Sequence, residues 1–372
     1  MLIQHATAYI DGRFQAHVSL RTDGHIILET GASLSAGPGE ETLDLQGDYL
    51  LPGFVDVHIH AFKGMDTMAG EAAVRHMSRE LKKEGVAAFL PTTMSASPAD
   101  TKAALQGIGA VMKRPEKGGS QVLGAHMEAP FLNAARCGAQ VAGYFLPPSM
   151  EAFLDMAGEF LPLVRIVTLA PELDGAEGWI RQITARGIVA SIGHSDATCE
   201  TTHAAADWGA THVTHLFNAQ PPLNHRAPGV PGAALTDGRL YTEIIADGIH
   251  LHPDILRLVM KAKGREKTVL VTDAMEASGM PEGEYQLGGQ AVYVKDGAAR
   301  LASGVLAGST LTMPRAFQNM VRFGIAPEDA AYAATASPAA SIGEKLAGRI
   351  AHGAPALLTR WDRGFDRMTV LS

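Results

Sequence analysis

From residue 50 onward, short apolar runs alternate with longer stretches in which apolar positions recur every three or four residues. The short runs read as strands at about 54–60, 86–92, 122–128, 164–169, 188–194, 210–215, 241–247 and 268–273. Between most of them the spacing predicts helices. Residues 70–84 carry Val74, Met77 and Leu81 on one face, with Gly85 where a helix would stop, and similar patterns cover 99–112, 151–160, 176–186, 197–208 and 253–263. Eight strands with intervening helices predict an α/β fold, a (β/α)8 TIM-like barrel whose functional groups sit at the carboxyl ends of the strands. The first fifty residues break this rhythm. Alternating segments at 7–10 and 25–28 predict strands of a small sheet, and β-like segments at 356–358 and 368–371 predict that the other end of the chain completes it. The simplest organisation is a small sheet domain built from both chain ends, residues 1–51 and 342–372, beside a barrel of residues 52–341. Residues 33–40 read as a turn. The Pro- and Gly-rich segment 220–232 reads as a loop too long for a simple connection, and hence as a functional one.

Composition narrows the class. A chain of 372 residues with 46% hydrophobic content buries a large core, so disorder is not expected. The formal net charge of -8 argues against a nucleic-acid binder, which needs a basic footprint. Cys137 and Cys199 are too few and too far apart for a disulfide scaffold or zinc ribbon and read as packing residues. No signal-peptide pattern or membrane-spanning stretch is found, and the expectation is a cytoplasmic protein with no membrane partner.

The chemistry lies at the strand ends. His58 and His60 close the first apolar run, and alternation along a strand turns both imidazoles to one face, where they can share a metal ion. Glu128, His194, His215 and Asp273 each end or follow a later run. Six ligand-type residues at strand ends point to one metal centre. His126 shares a strand face with Glu128, where it either supports a ligand or packs. His76, His203, His212 and His225 carry no such pattern.

The runs Leu51 to His60, Gly193-His194-Ser195, His215 to Ala219 and Thr272 to Met275 together resemble the N-acetylglucosamine-6-phosphate deacetylases of the amidohydrolase superfamily. The likeness continues through Ala246 to His250, Gly279 to Tyr285 and Ala307 to Thr312, in the family's order across most of the barrel. It implies a (β/α)8 barrel with a small β-sandwich domain built from both chain termini, hydrolysis of a sugar N-acetyl group, a small amino sugar phosphate as substrate, and a homodimer. Residue by residue, Glu128, His194 and His215 match the family's principal metal ligands. His58 and His60 match a pair that in some members holds a second ion, with Glu128 as bridge, so one or two divalent metals per chain are implied. Zinc or iron is the leading expectation, with manganese or cobalt also suited to these ligands. Asp273 matches the catalytic aspartate. No lysine falls at a strand end, so a carbamylated-lysine bridge is not indicated.

These residue types suit amide hydrolysis. The reaction needs a strong nucleophile at neutral pH, and a bound divalent metal lowers the pKa of water from about 15.7 to roughly 7. An aspartate that takes a proton from that water can return it to the leaving amine. For the phosphate, the resemblance implies the backbone amides of Asn218 and Ala219 with Arg226 and His250; an arginine fork pairs two phosphate oxygens. Ala129 stands where the family more usually has glycine, and a second departure matters more. Where members often carry a sugar-contacting histidine, this chain has Gln140, which is expected to reach a ring hydroxyl and to tune preference between sugar epimers. Two other readings stay open: deacetylation of a related substrate such as N-acetylgalactosamine 6-phosphate, and non-catalytic binding of a sugar phosphate, against which the intact Asp273 argues.

Overall fold

A computed structural model describes residues 1–371. Its centre is a run of parallel strands in the predicted order. Phe54–Ile59 pairs with Val86–Thr93, which pairs with Ala125–Met127; the ladder continues through Val164–Leu169, Val189–Ile192, His212–Val213 and Tyr241–Ile245 to Thr268–Val271. The ring closes between the last strand and the first. The amide of Asp273 donates to the carbonyl of His58 at 2.9 Å, and Ile59 bridges to Ala274. The strands were legible because parallel barrel strands are buried on both faces and so read as continuous apolar runs. Phe54–Ile59 and Val86–Thr93 are buried throughout.

The third strand differs from its expected span. It is split into Gln121–Val122 and Ala125–Met127, both paired with Val86–Thr93. The break falls at Gly124, with φ of 143°, where an added Cβ would lie 2.5 Å from the carbonyl oxygen of Leu163. The segment expected as a loop over 220–232 is also shorter, because Gly229–Thr236 is a helix. Pro231 is tolerated there because the first turn of a helix has no intrahelical use for its missing N–H.

The helices follow the predicted spacing. Glu71–Lys83 buries Val74, Met77 and Leu81, and Pro98–Lys113 is capped by Ser97, whose hydroxyl accepts from the Asp100 amide. Strands from both chain ends join in one sheet, in which Leu358–Trp361 pairs with Tyr49–Pro52 and with Met368–Leu371. This sheet has its own core of Ile3, Val18, Leu20, Ile27, Leu50 and Leu358. It meets the barrel where the first barrel strand begins. There Trp361 packs on Phe317, with ring centroids 5.0 Å apart, and on Phe54 at 6.4 Å. The site-bearing carboxyl ends of the strands are thereby left free. Unforeseen from the sequence is a three-stranded antiparallel sheet, Gly283–Leu287, Gln290–Lys295 and Ala298–Leu301, inserted after the eighth barrel strand.

Candidate active site

Barrel strands end in residues whose backbone turns sharply. His194, His215 and Asp273 all have positive φ, at 48°, 26° and 48°. For side chains with a Cβ this conformation is strained, and such strain collects at functional sites. Here the three residues follow strands five, six and eight, and all three line one cavity of about 300 Å³ with His60 and Glu128.

At the cavity floor the nitrogens and carboxylate oxygens converge. Oε1 of Glu128 lies 3.3 Å from His194 Nε2, 3.1 Å from His215 Nε2 and 3.3 Å from His58 Nε2, while Oε2 lies 3.1 Å from His60 Nε2. The two Nε2 atoms of His194 and His215 are 3.2 Å apart, as are those of His58 and His60. Oδ1 of Asp273 is 3.3 Å from His60 Nε2 and 3.6 Å from His58 Nε2. Two ligand groups meet here, Glu128 with His194 and His215, and His58 with His60 and Asp273; a third cluster, His58 with His126 and Glu243, includes the carboxylate on the Nδ1 side of His58. Glu128 spans the first two.

The far side of each ring explains why these nitrogens face one another. Nδ1 of His58 meets the Glu243 carboxylate at 2.9 Å, and Nδ1 of His60, His194 and His215 meets the carbonyls of Thr92, Arg136 and Asn218 at 3.3, 2.9 and 3.2 Å. An oxygen acceptor at Nδ1 places the ring hydrogen there and leaves Nε2 as a lone pair. Four lone pairs directed at one bridging carboxylate fit a divalent cation. Electrostatics agree. Burial works against a charged His58, but the carboxylates of Glu243, Glu128 and Asp273 outweigh it and hold the imidazole well above its ordinary pKa. His60 is pushed up to about 9 by Glu128 and Asp273 against the same burial. Burial opposes ionised Glu128 and Asp273 as well, yet the facing histidines hold both carboxyls below their usual range. The field that favours a proton on these rings favours a cation between them.

The rim carries other expected residues. Asn218, Ala219, His250 and Gln140 line the cavity. His250 is fixed by Asp247, whose Oδ2 lies 2.6 Å from Nδ1, so Nε2 is the free end of the ring. The Asn218 amide is committed to the carbonyl of His215 at 2.9 Å. Two placements differ from expectation. Gln140 is buried, and its amide is turned to protein groups: Nε2 donates to Glu128 Oε2 and Oε1 accepts from the Ser95 amide at 2.7 Å. Arg226 lies outside the cavity, exposed on the 220–228 loop beside Asp196, Thr198 and Pro221. Within one chain it does not join the other site residues.

Sequence reasoning missed Arg300, which the inserted sheet brings to the cavity wall, and Glu243 inside the barrel. A lone acidic residue in the apolar run Tyr241–Ile245 was the available signal for Glu243. His126 touches no metal group with a free nitrogen: its ring bonds the Val57 carbonyl and Thr168 Oγ1, and burial, then positive His58, lower its pKa to about 3.

Fold and site together define a barrel hydrolase whose strand-end histidines and carboxylates are suited to a divalent metal. The chain belongs to the amidohydrolase family, whose sequence model matches residues 49–370. It is 42% identical over 277 residues to an N-acetylglucosamine-6-phosphate deacetylase of Bacillus subtilis, covering 74% of this chain and 70% of that one. It is 37% identical over 322 residues to an N-acetylgalactosamine-6-phosphate deacetylase of Escherichia coli O157:H7, covering 85% and 84%. Among solved structures, a mutant N-acetyl-D-glucosamine-6-phosphate deacetylase of Mycobacterium smegmatis, in complex with N-acetyl-D-glucosamine-6-phosphate, superposes with a TM-score of 0.91 at 31% identity, over 100% of this chain and 96% of that one. This chain is a hydrolytic enzyme of that family, and among its described residues no helix is long and apolar enough to cross a membrane.

Proposed function

We propose that the protein hydrolyses the acetamido group of N-acetylglucosamine 6-phosphate to glucosamine 6-phosphate and acetate. The observation that carries this reading is the pairing of the Glu128-centred histidine groups and Asp273 with a rim of Asn218, Ala219 and His250 on one cavity. Glu128, His194 and His215 would hold a first divalent ion, and His58 and His60 a second. When bound, such an ion supplies Lewis acidity and an acidified water. Asp273, kept ionised by its histidine neighbours, takes the proton at its carboxylate and returns it to the departing amine. His250 presents its free Nε2 to the phosphate beside the Ala219 backbone. Arg226 serves the cavity of a neighbouring subunit in a homodimer, which fits its place on an exposed loop away from its own site. The barrel, residues 52–341, acts as the catalytic domain, and 1–51 with 342–372 as the small one.

A second reading, deacetylation of the galactosamine epimer, draws support from the relative of that activity. Acetate release on the two N-acetylhexosamine 6-phosphates and on their unphosphorylated sugars tests both. The glucosamine epimer with phosphate is expected to give the highest kcat/KM. A preference for the other epimer would select the second reading, and no acetate from either would sink the reaction.

A further inference from the structure

Glu243 sits in the seventh barrel strand with its side chain inside the barrel and no exposed surface. Among the described residues its ion-pair partners are only histidines, His58 and His212. One oxygen, Oε2, carries the hydrogen bonds: it lies 2.9 Å from His58 Nδ1 and accepts from the backbone amide of His215 at 3.0 Å. The other, Oε1, has no hydrogen-bond partner among the described residues and lies 3.5 Å from His212 Nδ1. Burying a carboxylate without a lysine or arginine is costly, and packing alone would favour an apolar residue at this place. Of the four histidines around Glu128, His58 alone has a charged acceptor behind it; the other three rings face neutral carbonyls.

We propose that Glu243 is a positioning residue that creates the second metal position, by holding the hydrogen of His58 at Nδ1 so that Nε2 is a free ligand beside His60. The same oxygen ties His58 to the backbone of His215, so one carboxylate sets the ring of one ligand group against the main chain of the other. A carboxylate behind a ligating imidazole also raises its donor strength. The proposal rests on the metal-centred reading of the site given above.

The test is equilibrium competition with a chelator, with bound metal counted by elemental analysis, on the full-length wild type, Glu243→Gln and Glu243→Asp. Gln keeps the shape and can still accept from the His215 amide, while Asp keeps the charge but draws its oxygens back from His58. In both variants the more weakly held ion is expected to lose about 10- to 100-fold in affinity. The ion at Glu128, His194 and His215 should move less than about threefold. A merely structural role would weaken both ions alike and lower the unfolding temperature with them. In a His58→Asn background, Glu243→Gln should have no further effect on the second ion, since the two act as one unit. A wild type that binds one ion, variants that bind both as tightly as wild type, or an equal loss of both ions would each overturn the proposal. Acetate release by the wild type is scored separately: without it the proposed reaction falls, and with it only the role of Glu243 is at stake.

Discussion

Nε2 of Gln140 donates to Oε2 of Glu128, the carboxylate on which the histidines of the site converge. The Ser95 amide, bonded to the carbonyl end at 2.7 Å, decides which end of the side chain faces Glu128. The position expected from sequence to meet a sugar hydroxyl is therefore engaged with a candidate metal ligand. Gln140→Ala should lower metal retention and reduce kcat by about 10- to 100-fold, as loss of a group that orients a ligand usually does. The ratio of kcat/KM for the two N-acetylhexosamine 6-phosphate epimers should change little. A large shift in that ratio with metal content unchanged would place Gln140 on the sugar.

Asp273→Asn should keep the fold, because the backbone of residue 273 closes the barrel through its amide to His58 and its carbonyl to Ser309, and should keep the ion at Glu128, His194 and His215, a group that does not include Asp273. An amide side chain cannot take up and return a proton. Turnover should fall by about 10²- to 10⁴-fold with KM nearly unchanged. Near-normal kcat in this variant would require a different base.

Strand-end chemistry was readable because burial and function leave the same mark there: an apolar run that stops at a histidine or carboxylate, as at Val57-His58 and Val271-Thr272-Asp273. The inserted sheet left a fainter mark. Its strands are only half buried and carry Glu284, Gln286 and Arg300 among apolar positions. The turns Gly288-Gly289 and Asp296-Gly297, with all four residues at positive φ, were its readable signature as tight hairpins. Missing them meant missing Arg300. Arg226 is a different case. Its residue type and motif were legible, but motifs carry no information on which copy of a chain a loop serves, and the folded chain leaves it outside its own cavity.

Away from the site, Lys263 ends the helix Pro253–Lys263 and donates to the carbonyl of Asp237 at 2.5 Å. Burial lowers its pKa from 10.5 to about 8, with Asp237 opposing and Lys267 adding to the shift. A lysine depressed in the folded state is protonated in both states below about pH 8, so its charging penalty is fully present there. Between pH 8 and 10.5 the unfolded chain binds the extra proton, and stability rises with pH. Because the side chain is only half buried, the effect is modest. The unfolding temperature of wild type relative to Lys263→Met should improve from pH 8 to 10. A constant difference across that range would assign the titration to another group.

Arg226 gives the sharpest test of the assembly. If it serves a neighbouring cavity, Arg226→Ala should cut kcat/KM on the phosphorylated sugar by about 10- to 150-fold, the equivalent of roughly 1.5–3 kcal/mol for one charge-assisted contact. The unphosphorylated sugar should be little affected. Asp273→Asn disables the cavity of its own chain by a different route. Mixed dimers of the two variants then contain one cavity with an intact Asp273 and an intact Arg226 supplied from the other chain. Co-expression of the two variants should therefore restore activity well above either alone, approaching half the wild-type value per mixed dimer. An arginine acting on its own cavity leaves every site in the mixture defective, so activity no higher than the average of the two parents would place Arg226 in its own subunit's site. Equal kcat/KM of Arg226→Ala and wild type on the phosphorylated sugar would remove it from phosphate binding altogether.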